Sequence, residues 1–502
     1  MNSAVWQRYD IRLLAVLASL ALSGFTILFA ELPNDDAYVY IRTAEIFLNE
    51  GFSAAFSHYG WAGYPILIGL VSMLGLSLFN AAYLVNAGLF ALLVYGFVSV
   101  VSQLSNNARI TALAAVTVLL YPELNEFRHF IIRDIGFWAF SIFGLLQFMK
   151  FREHPSNHTA FAFISCMLAA TVFRAEAVAY LALAPLALLV DSSLGQTQCR
   201  AHFWQLGRLV YGTGLSVCLL LLLLGVNVFA QAIEFFSVYL PFIQGTFDPT
   251  PAETAELGRL LFGEYAATIS QEYMNGVIAA GLLVILIMTI FYGISGPYFW
   301  LLALGGWMRA WQFDRSKWLP LIAFALVNVL ILLTFLYITR YLSSRYAMLL
   351  CILVVMQVPF VVATFLDRSV NSKRGQSARM LLMLFAVYCL MDAHISFGRS
   401  KDYLLQAANY TETQVGANSN VLTNNHTIAF FSGEVTDYDE VERIITADQI
   451  RQMQPGDLLV VEMISEVVVL LEDDQIQRML TPQTAFPSET EQRVAVFQRS
   501  NP

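Results

Sequence analysis

The sequence predicts an all-α polytopic membrane body of about 11 transmembrane helices, followed by a small α/β domain outside the membrane. Three observations carry that expectation. Of the 502 residues, 57% are hydrophobic and 13% charged, about half the charge of an average soluble domain. Apolar runs recur from Leu13 to His394, most near the roughly 18 residues that cross a bilayer core. The stretch from Lys401 to Pro502 then holds 16 acidic and 6 basic side chains, whereas the preceding chain is almost neutral. That break, near Phe397, divides a hydrophobic body at 1–396 from an acidic soluble domain at 397–502.

Crossings are expected at 12–30, 81–103, 109–121, 132–150, 158–173, 176–190, 208–230, 276–296, 318–339, 346–366 and 379–396. The first is as long as a spanning helix, so it reads as an uncleaved anchor rather than a signal peptide. Basic clusters lie at Arg8 and Arg12, Lys150 and Arg152, Arg200 and Arg208, Arg309 to Lys317, and Arg368 to Arg379. The positive-inside rule puts all five on the cytoplasmic side, with the N-terminus inside and the tail outside. Counting Tyr64 to Phe79 as a further crossing would invert every later loop, so that run is expected to be an interfacial or re-entrant helix. Pro297 to Trp307 is read the same way on the inner side. The polar segments Glu31–Gly63, Tyr121–Ile131, Gln231–Asn275 and Arg340–Arg345 then share the outer face.

In the tail, alternation predicts strands at Val421–Phe431, Asp457–Met463 and Arg493–Arg499, with helices at Ala447–Met453 and Val468–Leu480. None of the five cysteines lies there, and no spacing suggests a disulfide framework or a zinc site. No basic block points to nucleic acid. Three Asn-x-Thr triplets, at Asn157, Asn409 and Asn425, carry no assigned meaning.

The outer segments hold the candidate chemistry. The first reads Asn34-Asp35-Asp36-Ala37-Tyr38, so two adjacent carboxylates open an amphipathic stretch. Taken alone, the pair reads as a helix start, because Asp favours the cap and the first-turn dipole. It also suits acid–base work, one carboxylate taking a proton while the other orients it, and close like charges raise one pKa toward neutrality. Arg340 and Arg345 bracket a short turn at a membrane boundary, where charge is costly unless it faces a polar site or snorkels to head groups. Arg128, His129, Arg133 and Asp134 form a second polar cluster. Arg174 and Glu176 read as a local structural pair.

The string DDAYVYIRTAEIFLNEG resembles the first-loop signature of the GT-C glycosyltransferases. It is most similar to bacterial arabinofuranosyltransferases and the superfamily of ArnT and the protein mannosyltransferases, which use polyprenyl-phosphate sugars. Tyr121-Pro122-Glu123 with Arg133-Asp134, and Arg340 to Tyr346, extend the resemblance over about residues 30 to 350. The tail resembles nothing nameable.

The resemblance implies an inverting glycosyltransferase of the bacterial inner membrane with its site on the periplasmic face. Asp35 would be the base and Asp36 its partner. Arg340, Arg345, Arg128 and Arg133 would hold the donor phosphate, with Tyr38, His58, His129, Asp134 and Glu264 as further substrate contacts. A lipid-linked sugar donor, membrane lipid, and a glycan, lipid or pilin-like protein acceptor are the implied partners. The loop leans toward a pentofuranose. No cofactor is required, although some relatives bind a divalent metal at the paired acids. A glycan polymerase or ligase shares much of this layout, and a lipid or solute transporter is the alternative from another class.

Overall fold

The computed structural model describes residues 10–29, 32–223, 273–311, 314–370, 375–395, 401–415 and 419–500, with isolated positions between 230 and 263. These fall into two compact units. The first comprises Met1–Leu22, Gly88–Phe127 and Arg133–His394; the second comprises Ser23–Ala87, Arg128–Ile132 and Ile395–Pro502.

Among the described residues, seven helices are long and apolar enough to cross a membrane: Ile11–Leu28, Leu78–Ser105, Gln196–Leu223, Gly276–Ile294, Lys317–Thr339, Ser344–Ser369 and Gly375–His394. Six coincide with expected crossings, and the seventh, Gln196–Leu223, begins 12 residues before the crossing expected at 208–230 because the helix also takes in Arg200 and Arg208. The other four expected crossings are helices too, but Ala108–Leu119 and Asn157–Phe173 are shorter, and Asp134–Glu153 has charged ends. The fourth, Ala177–Val190, changes from an α-helix to a 3-10 helix at Ala184. The protein is a multi-pass α-helical membrane protein.

Within the first unit, apolar helices approach closely where glycine leaves room. A Cβ at Gly136 would meet the Phe173 ring at 2.3 Å, and one at Gly144 would meet Met167 at 2.3 Å. Small residues are a usual device where lipid supplies no hydrophobic drive to association. Side-chain hydrogen bonds add to this, with Tyr298 donating to the Thr117 carbonyl and Asn328 to the Tyr180 hydroxyl, both at 2.7 Å. Tyr121 likewise donates to the Gly293 carbonyl.

The second unit contains a four-stranded sheet: β1 (Val421–Thr423), β2 (Leu458–Glu462), β3 (Leu480–Ser488) and β4 (Glu491–Arg499). Its order is β1-β2-β4-β3; β1 runs parallel to β2, and the other pairs are antiparallel. Both faces of β2 are buried, which explains its continuous apolar run. Leu458 and Val460 pack with Tyr403, Leu404 and Ala407 of the helix Asp402–Gln414. Leu459 and Val461 pack on the other face with Ile450, Val467 and Ile476.

Two tail expectations need correction. The strand expected over Val421–Phe431 stops at Thr423, and His426–Ser432 is a helix. Asn425 caps it by accepting from the Thr427 and Ile428 amides, and Gly433 ends it at φ 71°. The helix expected over Val468–Leu480 is two short helices, Ser465–Leu471 and Asp474–Gln477, and Leu480 begins β3. Asp473 restarts the second helix by accepting from the Gln475 amide at 2.7 Å. The run from Tyr64 contains a helix of only ten residues, Gly63–Ser72, about 15 Å long and half the depth of a bilayer core.

Candidate functional site

The two carboxylates of the first loop occupy the opening turn of the helix Asp35–Glu50. The helix follows Pro33, and its buried residues Ala37, Tyr38, Tyr40, Ile41 and Ala44 recur at helical spacing on one face. Asp35 is exposed and Asp36 half-buried, and the first-turn dipole favours both charges. Asn34 sits at the cap position, but its side chain makes no cap bond. Instead Asn34 Nδ2 donates to the Ile131 carbonyl at 3.2 Å, and the Ile131 amide donates to Asn34 Oδ1 at 2.7 Å.

The segment so engaged carries Arg128 and His129. Arg128 is 2% exposed, and its guanidinium donates to Ser23 Oγ at 2.6 Å. Burial pushes its pKa down to about 9, so it keeps its charge at neutral pH. Burial also lowers the His129 pKa, and that ring lies 4.4 Å from Phe130. The segment is held further by Asn86, which donates to the Phe130 carbonyl and accepts from the Tyr64 hydroxyl, both at 2.7 Å.

Tyr38 and His58 are engaged by the α/β part of the same unit. Tyr38 is fully buried, donates to Thr427 Oγ1 at 2.9 Å and stacks with His426. His58 lies 2.8 Å from Asp439, whose other carboxylate oxygen is 4.0 Å from Arg42. Tyr438 donates to Glu45 at 2.8 Å. The helix carrying the acid pair is therefore packed directly on residues from the acidic tail.

In the first unit, Asp134 begins the helix Asp134–Glu153 and is 2% exposed. It forms an ion pair at 2.5 Å with Arg174, which also binds Glu176 at 2.5 Å. The Arg174 guanidinium stands 4.3 Å from the centre of the Tyr346 ring, and that of Arg345 stands 5.4 Å from the same ring. Sequence reasoning saw Arg174 and Glu176 as a local pair and missed the hub that joins them to Asp134 and Tyr346. Arg133 is half-buried just before the helix. Arg340 is exposed and holds a left-handed φ of 58° at the end of the helix Arg315–Thr339. Glu264 lies outside the described residues.

The acid pair alone supplies two carboxylates toward a divalent ion, and no set of three His, Cys, Asp or Glu side chains among the described residues converges to hold one.

These elements and the likeness to solved structures define a class: a multi-pass helical membrane protein with a GT-C fold, paired acids at the start of the helix Asp35–Glu50 and a small α/β domain. The similarity to solved structures makes the fold particular. The chain matches ArnT from Cupriavidus metallidurans bound to undecaprenyl phosphate with a TM-score of 0.53 and 13% identity, over 98% of this chain and 99% of that one. The apo state of the same ArnT matches with a TM-score of 0.51 and 13% identity, over 98% of each chain. An Archaeoglobus fulgidus oligosaccharyltransferase tethered with an acceptor peptide gives a TM-score of 0.48 and 12% identity, over 81% of this chain and 58% of that one. No protein-family model and no curated protein sequence matches the chain.

Proposed function

We propose that this chain is an inverting glycosyltransferase that moves a sugar from a polyprenyl-phosphate donor to an acceptor hydroxyl at the outer face of a bacterial inner membrane. The observation that carries the reading is the end-to-end likeness to an ArnT that binds undecaprenyl phosphate, combined with an exposed carboxylate at the head of the first outer helix.

The donor's lipid stays in the bilayer while its anomeric carbon is presented at the surface. Asp35 takes the acceptor's proton, the acceptor oxygen bonds to the anomeric carbon, and the bond from that carbon to the phosphate oxygen breaks. Asp36, half-buried beside it, orients the base. The departing phosphate gains charge and needs cations that bind it more tightly as it leaves. Arg340 and Arg345 are the proposed partners, because a guanidinium fork can hold two phosphate oxygens. Arg128 is buried against Ser23, and Asp134 is held by Arg174; both suit a supporting role. The sugar is proposed to be a pentofuranose, and the acceptor an envelope glycan, lipid or pilin-like protein.

The test is sugar transfer in membranes supplied with a panel of polyprenyl-phosphate sugars. Wild type is expected to consume one donor, and Asp35→Asn, expressed at the normal level, to lose about a hundredfold or more of that rate. Full activity in both Asp35→Asn and Asp36→Asn would remove the base assignment. Consumption of a diphosphate-linked oligosaccharide alone would turn the reading to a polymerase or ligase.

A further inference from the structure

We infer that the first unit carries a phosphate-binding cavity where Arg12, Lys150 and Lys317 come together. The proposal does not depend on the transfer reaction. The cavity measures about 590 Å³, within the range of small-ligand sites. Arg12, Lys150 and Lys317 all line it. They come from three sequence segments that the positive-inside reading assigns to the same membrane face.

Charge and hydrogen bonding both favour an anion. The three cations share the cavity with one carboxylate, Glu153. That carboxylate accepts from the Gln103 amide at 2.5 Å, and Asp10 binds Arg12 from outside the lining at 2.9 Å. Lys150 and Lys317 make no ion pair among the described residues, so a surplus of positive charge faces the space.

The second observation is independent of charge. Ser99 lines the cavity, is 4% exposed, and its hydroxyl has no hydrogen-bond partner among the described residues. A buried hydroxyl without a partner is destabilising, a cost that a ligand oxygen would remove. Lysines binding as point charges, beside a hydroxyl donor, fit a phosphate with its several acceptor oxygens. That chemistry could come from the head group of an anionic phospholipid or from free phosphate.

The experiment uses the full-length protein and two probes. Native mass spectrometry counts phosphatidylglycerol retained after release from nanodiscs of phosphatidylglycerol and phosphatidylcholine. Equilibrium dialysis of detergent-purified protein measures binding of labelled inorganic phosphate. Wild type is expected to bind at least one probe, and which one identifies the source. Lys150→Gln/Lys317→Gln should weaken that binding at least tenfold, and Lys150→Arg should preserve it. Ser99→Ala leaves every charge in place and should weaken it at least threefold, so the cavity is tested even if the double variant fails to fold. The proposal is overturned if wild type binds neither probe. It is equally overturned if Ser99→Ala and every folded lysine variant bind as wild type does.

Discussion

Asn34 and Ile131 exchange two hydrogen bonds across 97 positions of sequence, and the residue so held immediately precedes the acid pair. A side-chain amide can reproduce the two-way pairing of a backbone ladder because it carries both a donor and an acceptor. Asn34→Ala removes both bonds and leaves the Ile131 amide and carbonyl to find other partners. The expected loss is about 2 kcal/mol of stability, with transfer reduced by about tenfold as Asp35 loses its anchor. Asn34→Asp keeps the acceptor and should recover part of both. Thermal unfolding alongside the transfer rate checks this, and an unchanged rate in Asn34→Ala would show that the anchor does not position the base.

Asp439 serves two partners, His58 and Arg42. Asp439→Asn should destabilise the second unit by about 1–3 kcal/mol, because a charge-assisted bond is lost in a partly buried setting. The coupling to His58, measured by a double-mutant cycle with His58→Ala, should exceed about 0.5 kcal/mol. Additive effects of the two changes would mean that the contact contributes nothing to stability.

Arg174 is the shared cation of Asp134 and Glu176. Arg174→Met leaves a buried carboxylate at Asp134 without its counter-charge, an arrangement that costs about 3–5 kcal/mol. Adding Asp134→Asn should restore part of that stability, since the uncompensated charge is then gone. Thermal unfolding in one detergent would compare the three proteins. A single variant as stable as wild type would contradict the hub.

Glu123, in the short helix Pro122–Glu126, has its pKa raised to about 7 by burial, with Glu126 and Asp392 adding repulsion. A carboxyl whose folded pKa exceeds its unfolded value binds its proton more tightly when folded. Its contribution is therefore fully present below about pH 4.5, the unfolded value, and is lost as pH rises through about 7. Wild type should gain thermal stability as pH falls from 7.5 to about 5. Glu123→Gln should flatten that dependence, whereas a parallel profile would assign it to another group.

Much of the membrane body was legible because apolar length is a one-dimensional property. The helix Lys317–Thr339, for example, is marked by composition before any partner is known. The acid pair was legible for a similar local reason, its position just beyond an apolar run. The tail was harder. Val421 to Phe431 looks like one strand because Val, Ile and Phe suit either element, and the division depends on Asn425 as a cap and Gly433 as a stop. Those two residues were the available signal. Burial of Arg128 against Ser23, and the meeting of Asp134 with Arg174, depend on pairings 105 and 40 residues apart. No local pattern encodes such pairings.

The support of the acid-bearing helix also has a consequence for biosynthesis. Tyr38, Glu45 and His58 find their partners in Thr427, Tyr438 and Asp439, separated by 389, 393 and 381 residues. A ribosome adding about 5–20 residues per second delivers the second set of residues tens of seconds after the first. During that interval the helix has none of these contacts, while the intervening membrane helices are being inserted. The candidate base would then reach its final setting only after Asp439 has been made, so a chain that stopped before Thr427 would carry the acids and lack these supports.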